Sequence, residues 1–301
     1  MSFEFVDCHF HFYDRNINDH PFLEKYDPKL ALIWGKRYQE LLPTSYMPKN
    51  YLRDMKNFHV KKLIMAELVS TDPLKEMNFA QALSEKTPLL AGAIANINLL
   101  DKNLPDLLAS YAKLPVVKAV RDHLLWDPNN PEHCYARSGG ILSNPAVTQS
   151  FEAIDRYQFK FEFEVYSHEI PHVQRYAKQF PNTYFALHCL GWPLNQTPEG
   201  FKKWEQDMQE LSACLNVFVK ITAIECIFGL NWTVEQIKPW IHTTIDIFGA
   251  KRCMFGSHLP ISKLSCKVEK LFDAYQNIVE DYSDADKKQL FSETASQFYN
   301  V

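Results

Sequence analysis

The chain has 301 residues, 46% of them hydrophobic and 23% charged, with a formal net charge of −4. That composition suits a globular protein with a large core, at a length that fits one or two domains, and it lacks the basic surplus of a nucleic-acid binder. The longest mostly apolar stretch, Leu89 to Leu100, is interrupted by Asn96 and Asn98 and is too short to span a bilayer. The opening Met1-Ser2-Phe3-Glu4 lacks the order of a secretory signal, and the seven cysteines contain no CxxC pair. Reduced thiols in a cytoplasmic protein are the expectation.

Short apolar runs at Phe3–Val6, Lys62–Ala66, Leu89–Ile97, Val116–Val120, Phe159–Val165, Thr183–Leu187, Val217–Ile221 and Cys253–Phe255 predict eight strands. Amphipathic patterns between them, such as Lys49–Phe58, Pro73–Ser84, Gln149–Tyr157, Pro171–Gln179, Gly200–Leu211 and Thr233–Phe248, predict helices. Strands alternating with helices imply a parallel sheet of the α/β class, and eight such units favour one (β/α)8 TIM barrel over residues 1–301. An open doubly wound sheet is the alternative, although no GxGxxG or GxxxxGK[ST] follows any strand. The fifth strand alternates aromatic and charged residues from Phe159 to Val165, which in a barrel turns Phe161 and Phe163 toward the helices and Glu162 and Glu164 inward. Two long connections, near 12–48 and 126–147, follow strand ends and are expected over the C-terminal mouth.

The polar residues at the strand ends carry the chemistry. Asp7-Cys8-His9-Phe10-His11 closes the first strand, and strict alternation places Asp7, His9 and His11 on one face with Cys8 and Phe10 on the other. His188 ends the sixth strand and His258 the eighth. Four histidines thus converge on one rim, because closure brings the first and last strands together. Imidazoles held on rigid strands are metal ligands or proton acceptors. Arg121 and His123 end the fourth strand; Arg121 suits a substrate carboxylate or pairs with Glu162 or Glu164 of the adjacent strand. Glu67 ends the second strand and Lys220 the seventh, while Tyr46 and Arg137 lie in the long loops. No GxSxG elbow is present, so covalent catalysis is not indicated.

Val6-Asp7-Cys8-His9-Phe10-His11, Tyr46-Met47-Pro48-Lys49-Asn50-Tyr51-Leu52, Ala119-Val120-Arg121-Asp122-His123, His188-Cys189-Leu190-Gly191-Trp192-Pro193, Val219-Lys220-Ile221-Thr222-Ala223, Gly256-Ser257-His258-Leu259-Pro260 and Phe291-Ser292-Glu293-Thr294 run in order along nearly the whole chain. Together they resemble the amidohydrolase-related barrel hydrolases, in particular the group of 2-pyrone-4,6-dicarboxylate and sugar-acid lactonases. The resemblance implies His9, His11 and His188 as ligands of a divalent metal, zinc first, or of the substrate carbonyl in a metal-free site. It implies a general base at His258, where the group usually has Asp. A neutral imidazole there either takes the water's proton, as Glu67 could in its place, or becomes a further ligand beside His9, His11 and His188. The implied activity is hydrolysis of a lactone or similar ester of a small anionic substrate, held by Arg121, His123, Tyr46, Arg137 and Lys220. Metal-dependent decarboxylation of a small carboxylic acid and a non-catalytic ligand-binding barrel are the alternatives. The expected partners are the small-molecule substrate and another copy of the chain in a homo-oligomer, with neither nucleic acid nor membrane.

Overall fold

Each apolar run of the sequence pairs with the next one in a single sheet. A computed structural model describes residues 4–301, so Phe3, at the start of the first predicted strand, lies outside the described residues. Eight parallel strands follow one another in sequence order: β1 (Glu4–Phe10), β2 (His59–Ala66), β3 (Leu90–Asn96), β4 (Val117–His123), β5 (Lys160–Glu164), β6 (Phe185–Leu187), β7 (Val217–Ile221) and β8 (Cys253–Phe255). At the mouth, His258 N–H donates to His9 O (2.8 Å) and His11 N–H to Leu259 O (2.7 Å), which joins β8 to β1 and nearly closes the barrel. The open-sheet alternative is thereby set aside.

Helices α1 (Pro48–Asp54), α2 (Pro73–Ser84), α3 (Leu104–Tyr111), α4 (Ala146–Arg156), α5 (Ile170–Gln179), α6 (Pro198–Ser212), α7 (Val234–Phe248) and α8 (Val268–Ile278) alternate with the strands. Their starts are written in the sequence. Proline occupies the first or second position of α1, α2, α3, α5 and α6, where no intrahelical N–H is needed. Asp72, Thr197 and Thr233 cap α2, α6 and α7 through side-chain oxygens.

β1 and β4 outrun their predicted ends at Val6 and Val120 by several residues. The extra residues include the polar Asp7, His9, Arg121, Asp122 and His123, so the apolar signal stops before the strand does. The strict alternation expected for β1 is also corrected. Asp7 pairs with Leu63 and Phe10 with Met65, so β1 spends one residue more than β2 between the same points. This bulge flips the parity. Asp7 accepts from Tyr51 of α1, on the outside, while Cys8 packs inside the barrel with Val6, Ile64, Ala66 and Met254. β5 has the expected orientation: Phe161 and Phe163 pack with Phe151 of α4, and Glu162 points inward to Lys220.

The barrel interior is filled by apolar residues from the strands together with Ala295, Phe298 and Tyr299 of the C-terminal helix (Thr294–Tyr299). That helix sits among the N-terminal ends of β5–β7, opposite the mouth. Over the mouth lies the first long connection. Tyr13–Asp14 pairs antiparallel with Ser45–Tyr46 to clamp its base, and the short helices Pro21–Glu24, Pro28–Trp34 and Tyr38–Leu41 fill the excursion. No helix of the described residues is long and apolar enough to cross a membrane.

Candidate active site

A cavity of about 620 Å³ opens at the C-terminal ends of the strands, between the two long connections. At its base stand His9, His11, His188 and His258, all buried. The ring centroids of His9 lie 5.0 Å from His11, 4.5 Å from His188 and 5.2 Å from His258. The bulge in β1 leaves both Cys8 and His9 directed inward, with His9 and His11 reaching this rim. His11 Nδ1–H donates to the Ala66 carbonyl at 3.1 Å, which leaves its Nε2 lone pair free. His258 Nδ1–H donates to Glu225 Oε1 at 2.5 Å, with the same consequence. His9 Nδ1 lies 3.0 Å from His188 Nε2 and 3.3 Å from the Lys220 ammonium. An ammonium only donates, so His9 Nδ1 accepts and its Nε2 carries the hydrogen. Burial first, then the charge of Lys220, holds His9 and His188 well below the ordinary imidazole range. Burial, with His258 and Arg121 nearby, does the same to His11.

Beside the histidines, four charged groups satisfy one another. Arg121 Nε donates to Glu67 Oε1 (2.5 Å) and its Nη2 to the Glu67 carbonyl (3.1 Å). His123 bridges Glu67 (2.8 Å) and Glu164 (2.6 Å), and Arg121 Nη1 is 4.0 Å from Glu164. Burial alone would raise the Glu67 carboxyl, but Arg121 and His123 outweigh it and hold it well below the carboxylate range. Burial likewise opposes a charge on His123, and Glu164 and Glu67 overcome it, lifting its pKa to about 10. Two anions and two cations thus cancel.

Of the residues expected at the site, the four histidines, Arg121, His123 and Arg137 reach the cavity wall. Three others do not. Tyr46 is buried at the clamp of the first connection and donates to Asp54 (2.9 Å). Lys220 is wholly buried beneath the histidines and donates to Glu162 at 2.8 Å, so it supports the site from below and cannot hold a substrate directly. Glu67 spends its oxygens on Arg121, His123 and the Val69 N–H (2.6 Å), which makes it a poor proton acceptor. The substrate-binding expectation for the two arginines is also modified. Arg121 is ion-paired, with the fifth-strand Glu164 as one partner, and Arg137 is paired with Asp122.

Glu225 is the residue that the sequence did not disclose. It lies on the short helix Ile224–Phe228 that follows β7, and Ala223, at φ 52°, turns the chain into that helix. One acidic residue in an apolar stretch gives no periodic signal. Only the contact with His258 marks it.

Comparison with known proteins gives the family. A family model described as amidohydrolase matches residues 6–301. The chain belongs to the amidohydrolase family. An uncharacterized protein of Sinorhizobium fredii is 24% identical over 98% of each chain. An L-fucono-1,5-lactonase of Burkholderia ambifaria is 19% identical over 88% of this chain and 83% of the relative. Among solved structures, a zinc-bound amidohydrolase from Burkholderia multivorans superposes with a TM-score of 0.80 at 17% identity, over 99% of both chains. A Pseudomonas putida protein described as a 2-pyrone-4,6-dicarboxylic acid hydrolase gives 0.71 at 16% identity, over 100% of this chain and 98% of the other. A manganese-bound 5-carboxyvanillate decarboxylase from Novosphingobium aromaticivorans gives 0.65 at 13% identity, over 99% and 97%. These likenesses establish the barrel.

The amidohydrolase donors suit one divalent ion. Two candidate sets share His9: His9–His11–His258, and His9–Glu162–His188. Lys220 already supplies a cation to the second set, at 2.8 Å from Glu162 and 3.3 Å from His9. The first set offers free lone pairs on His11 and His258, each fixed by an acceptor behind the ring, as metal-binding imidazoles are. His9 joins that set through Nε2 only when its Nδ1 stops accepting from Lys220.

Proposed function

We propose that this amidohydrolase hydrolyses a lactone or a related ester, with His258 as the base that activates water. The observation that carries the reading is the Glu225–His258 contact at 2.5 Å, which fixes the imidazole with a free Nε2 beside His9 and His11 at the cavity base. The lactonase among the relatives supports it. His258 Nε2 takes a proton from water as the water oxygen bonds to the carbonyl carbon. The His9 Nε2–H donates to the carbonyl oxygen, where negative charge develops. The carbon–oxygen bond of the ring then breaks, and the proton held by His258 passes to the departing oxygen, giving a hydroxy acid. A divalent ion held by His9, His11 and His258 would supply Lewis acidity to the carbonyl.

His258 cannot both ligate through Nε2 and accept a proton there. Hydrolysis of a lactone panel, followed by pH indicator before and after dialysis against a chelator, separates the two roles. Activity is expected to persist without metal, because Lys220 engages His9, and to be lost in His258→Ala, His9→Ala and His188→Ala without unfolding. Activity lost on chelation and restored by zinc or manganese would make His258 a ligand. Release of carbon dioxide from a carboxylic acid, with no lactone opened, would replace the hydrolase reading by decarboxylation.

A further inference from the structure

The upper part of the cavity differs in chemistry from its base. Its roof comes from the helices Pro21–Glu24 and Pro28–Trp34, which present Phe22, Ile33 and Trp34, and Trp192 also belongs to the lining. Phe22 and Trp34 brace each other edge to face at 5.4 Å. The polar atoms of the inner wall are largely used, while Lys25 and Tyr26 lie at the exposed edge of the lining. Trp34 Nε1–H donates to Cys226 Sγ (3.3 Å) and the Tyr135 hydroxyl to the Lys29 carbonyl (3.1 Å). Asp27 caps the helix Pro28–Trp34. Asn96 Oδ1 is buried without a partner, and beyond the histidine lone pairs at the base few acceptors remain for the several hydroxyls of a sugar lactone. Charge near the base is used up as well. Arg121 and His123 are balanced by Glu67 and Glu164, and Arg137 by Asp122; Lys25, a lining cation without an ion pair among the described residues, lies exposed at the edge, so a carboxylate brought down to the histidines would be an uncompensated anion.

Val69 is a second, independent observation. Its φ is 50°, a conformation strained for a β-branched residue. The Glu67 carboxylate holds it there by accepting the Val69 N–H at 2.6 Å. The strained residue lines the cavity and is 44% exposed, so the fold spends strain to leave an apolar side chain uncovered at the mouth. At about 620 Å³ the cavity is of a size that takes drug-sized ligands, roomier than one sugar ring needs.

We infer that the substrate is an uncharged lactone or ester with an aromatic or alkyl body, seated against Phe22, Trp34 and Val69 with its carbonyl at the histidines. This inference rests on the hydrolase reading above. The test compares kcat/KM for dihydrocoumarin, unsubstituted δ-valerolactone, L-fucono-1,5-lactone and a carboxylated pyrone, with tryptophan-fluorescence titration of dihydrocoumarin in parallel. Dihydrocoumarin is expected to exceed the other three by about tenfold or more, the scale of apolar-pocket discrimination. Its advantage over δ-valerolactone is expected to fall about tenfold in Trp34→Ala and severalfold in the isosteric Val69→Thr, which keeps the measurement available if the tryptophan variant does not fold. Faster turnover of the sugar lactone or the carboxylated pyrone would overturn the apolar assignment and leave the hydrolase reading standing. Saturable binding of dihydrocoumarin with no hydrolysis of any lactone would overturn the hydrolase reading. The apolar pocket would then stand.

Discussion

The negative charge that the sequence resemblance leads one to expect at position 258 stands instead at Glu225, one hydrogen bond behind the imidazole. A carboxylate there fixes the tautomer and stabilises the imidazolium as it forms. Glu225→Gln is therefore expected to lower kcat about 100-fold, in line with loss of an orienting carboxylate, with KM and the circular dichroism spectrum little changed; a kcat within about twofold of the parent would dismiss the pairing as catalytic. Glu76 supports a second prediction. Its Oε1 accepts the Leu68 N–H at 2.8 Å while Oε2 is buried without a partner. Burial first, then the nearby Glu67 charge, raises its pKa to about 8. The folded state thus holds this proton more tightly than the unfolded chain, so stability is fully present below the ordinary carboxylate range and falls as pH rises toward 8. Thermal melts between pH 5 and 9 are expected to show Tm dropping by several degrees, with a flatter profile in Glu76→Gln. Parallel profiles would refute the assignment. Of the residues themselves, the histidines were legible because strand ends in a barrel must face the mouth. Glu225 and Val69 were not, because an isolated acid and a left-handed valine leave no pattern in a sequence.

At the level of elements, the approach of β8 to β1 decides where His9 stands. A Cβ on Gly256 would lie 2.9 Å from His9 Cβ, 3.0 Å from Thr222 Oγ1 and 3.1 Å from His9 N. The two His9 atoms, backbone nitrogen and first side-chain carbon, cannot swing aside, although the Thr222 hydroxyl can rotate. Gly256→Ala is expected to cost about 1–3 kcal/mol, the scale of overpacking a core, and to reduce kcat/KM beyond what the loss of folded protein explains. Urea midpoints and initial rates at equal folded fraction check it, and full specific activity would show that β1 shifts without moving His9. The strand order and most helix starts were legible because apolar runs and proline or Thr/Asp caps act locally. The bulge in β1 was not, since it depends on how β1 and β2 align. A strict period of two therefore assigned Asp7 to the histidine face and Cys8 away from it. The structure reverses both.

Across the whole molecule, β1 and the C-terminal helix meet inside the barrel. The Tyr299 hydroxyl donates to Glu162 Oε1, Glu162 Oε2 accepts from Lys220, and Lys220 donates to His9. Alternating strands and helices announce the barrel, but aromatic residues at helical spacing look alike whether they pack outside a strand or close the interior, so this plug could not be read from the C-terminal segment. Its consequence is that a residue far from the mouth bears on the base of the cavity. Lys220 and Glu162 are both fully buried, and such a pair depends on every remaining lone pair being met. Tyr299→Phe removes one donor without opening a cavity, and leaving that carboxylate oxygen unsatisfied costs about 1–3 kcal/mol. The loss should appear as a lower urea midpoint with an unchanged m-value. Lys220 would also be drawn further toward Glu162 and away from His9, freeing His9 Nδ1, so zinc affinity measured by competition with a chromophoric chelator is expected to rise in Tyr299→Phe. A variant as stable as the parent, with the same zinc affinity, would show that the plug merely fills space and that the histidine cluster is insulated from it.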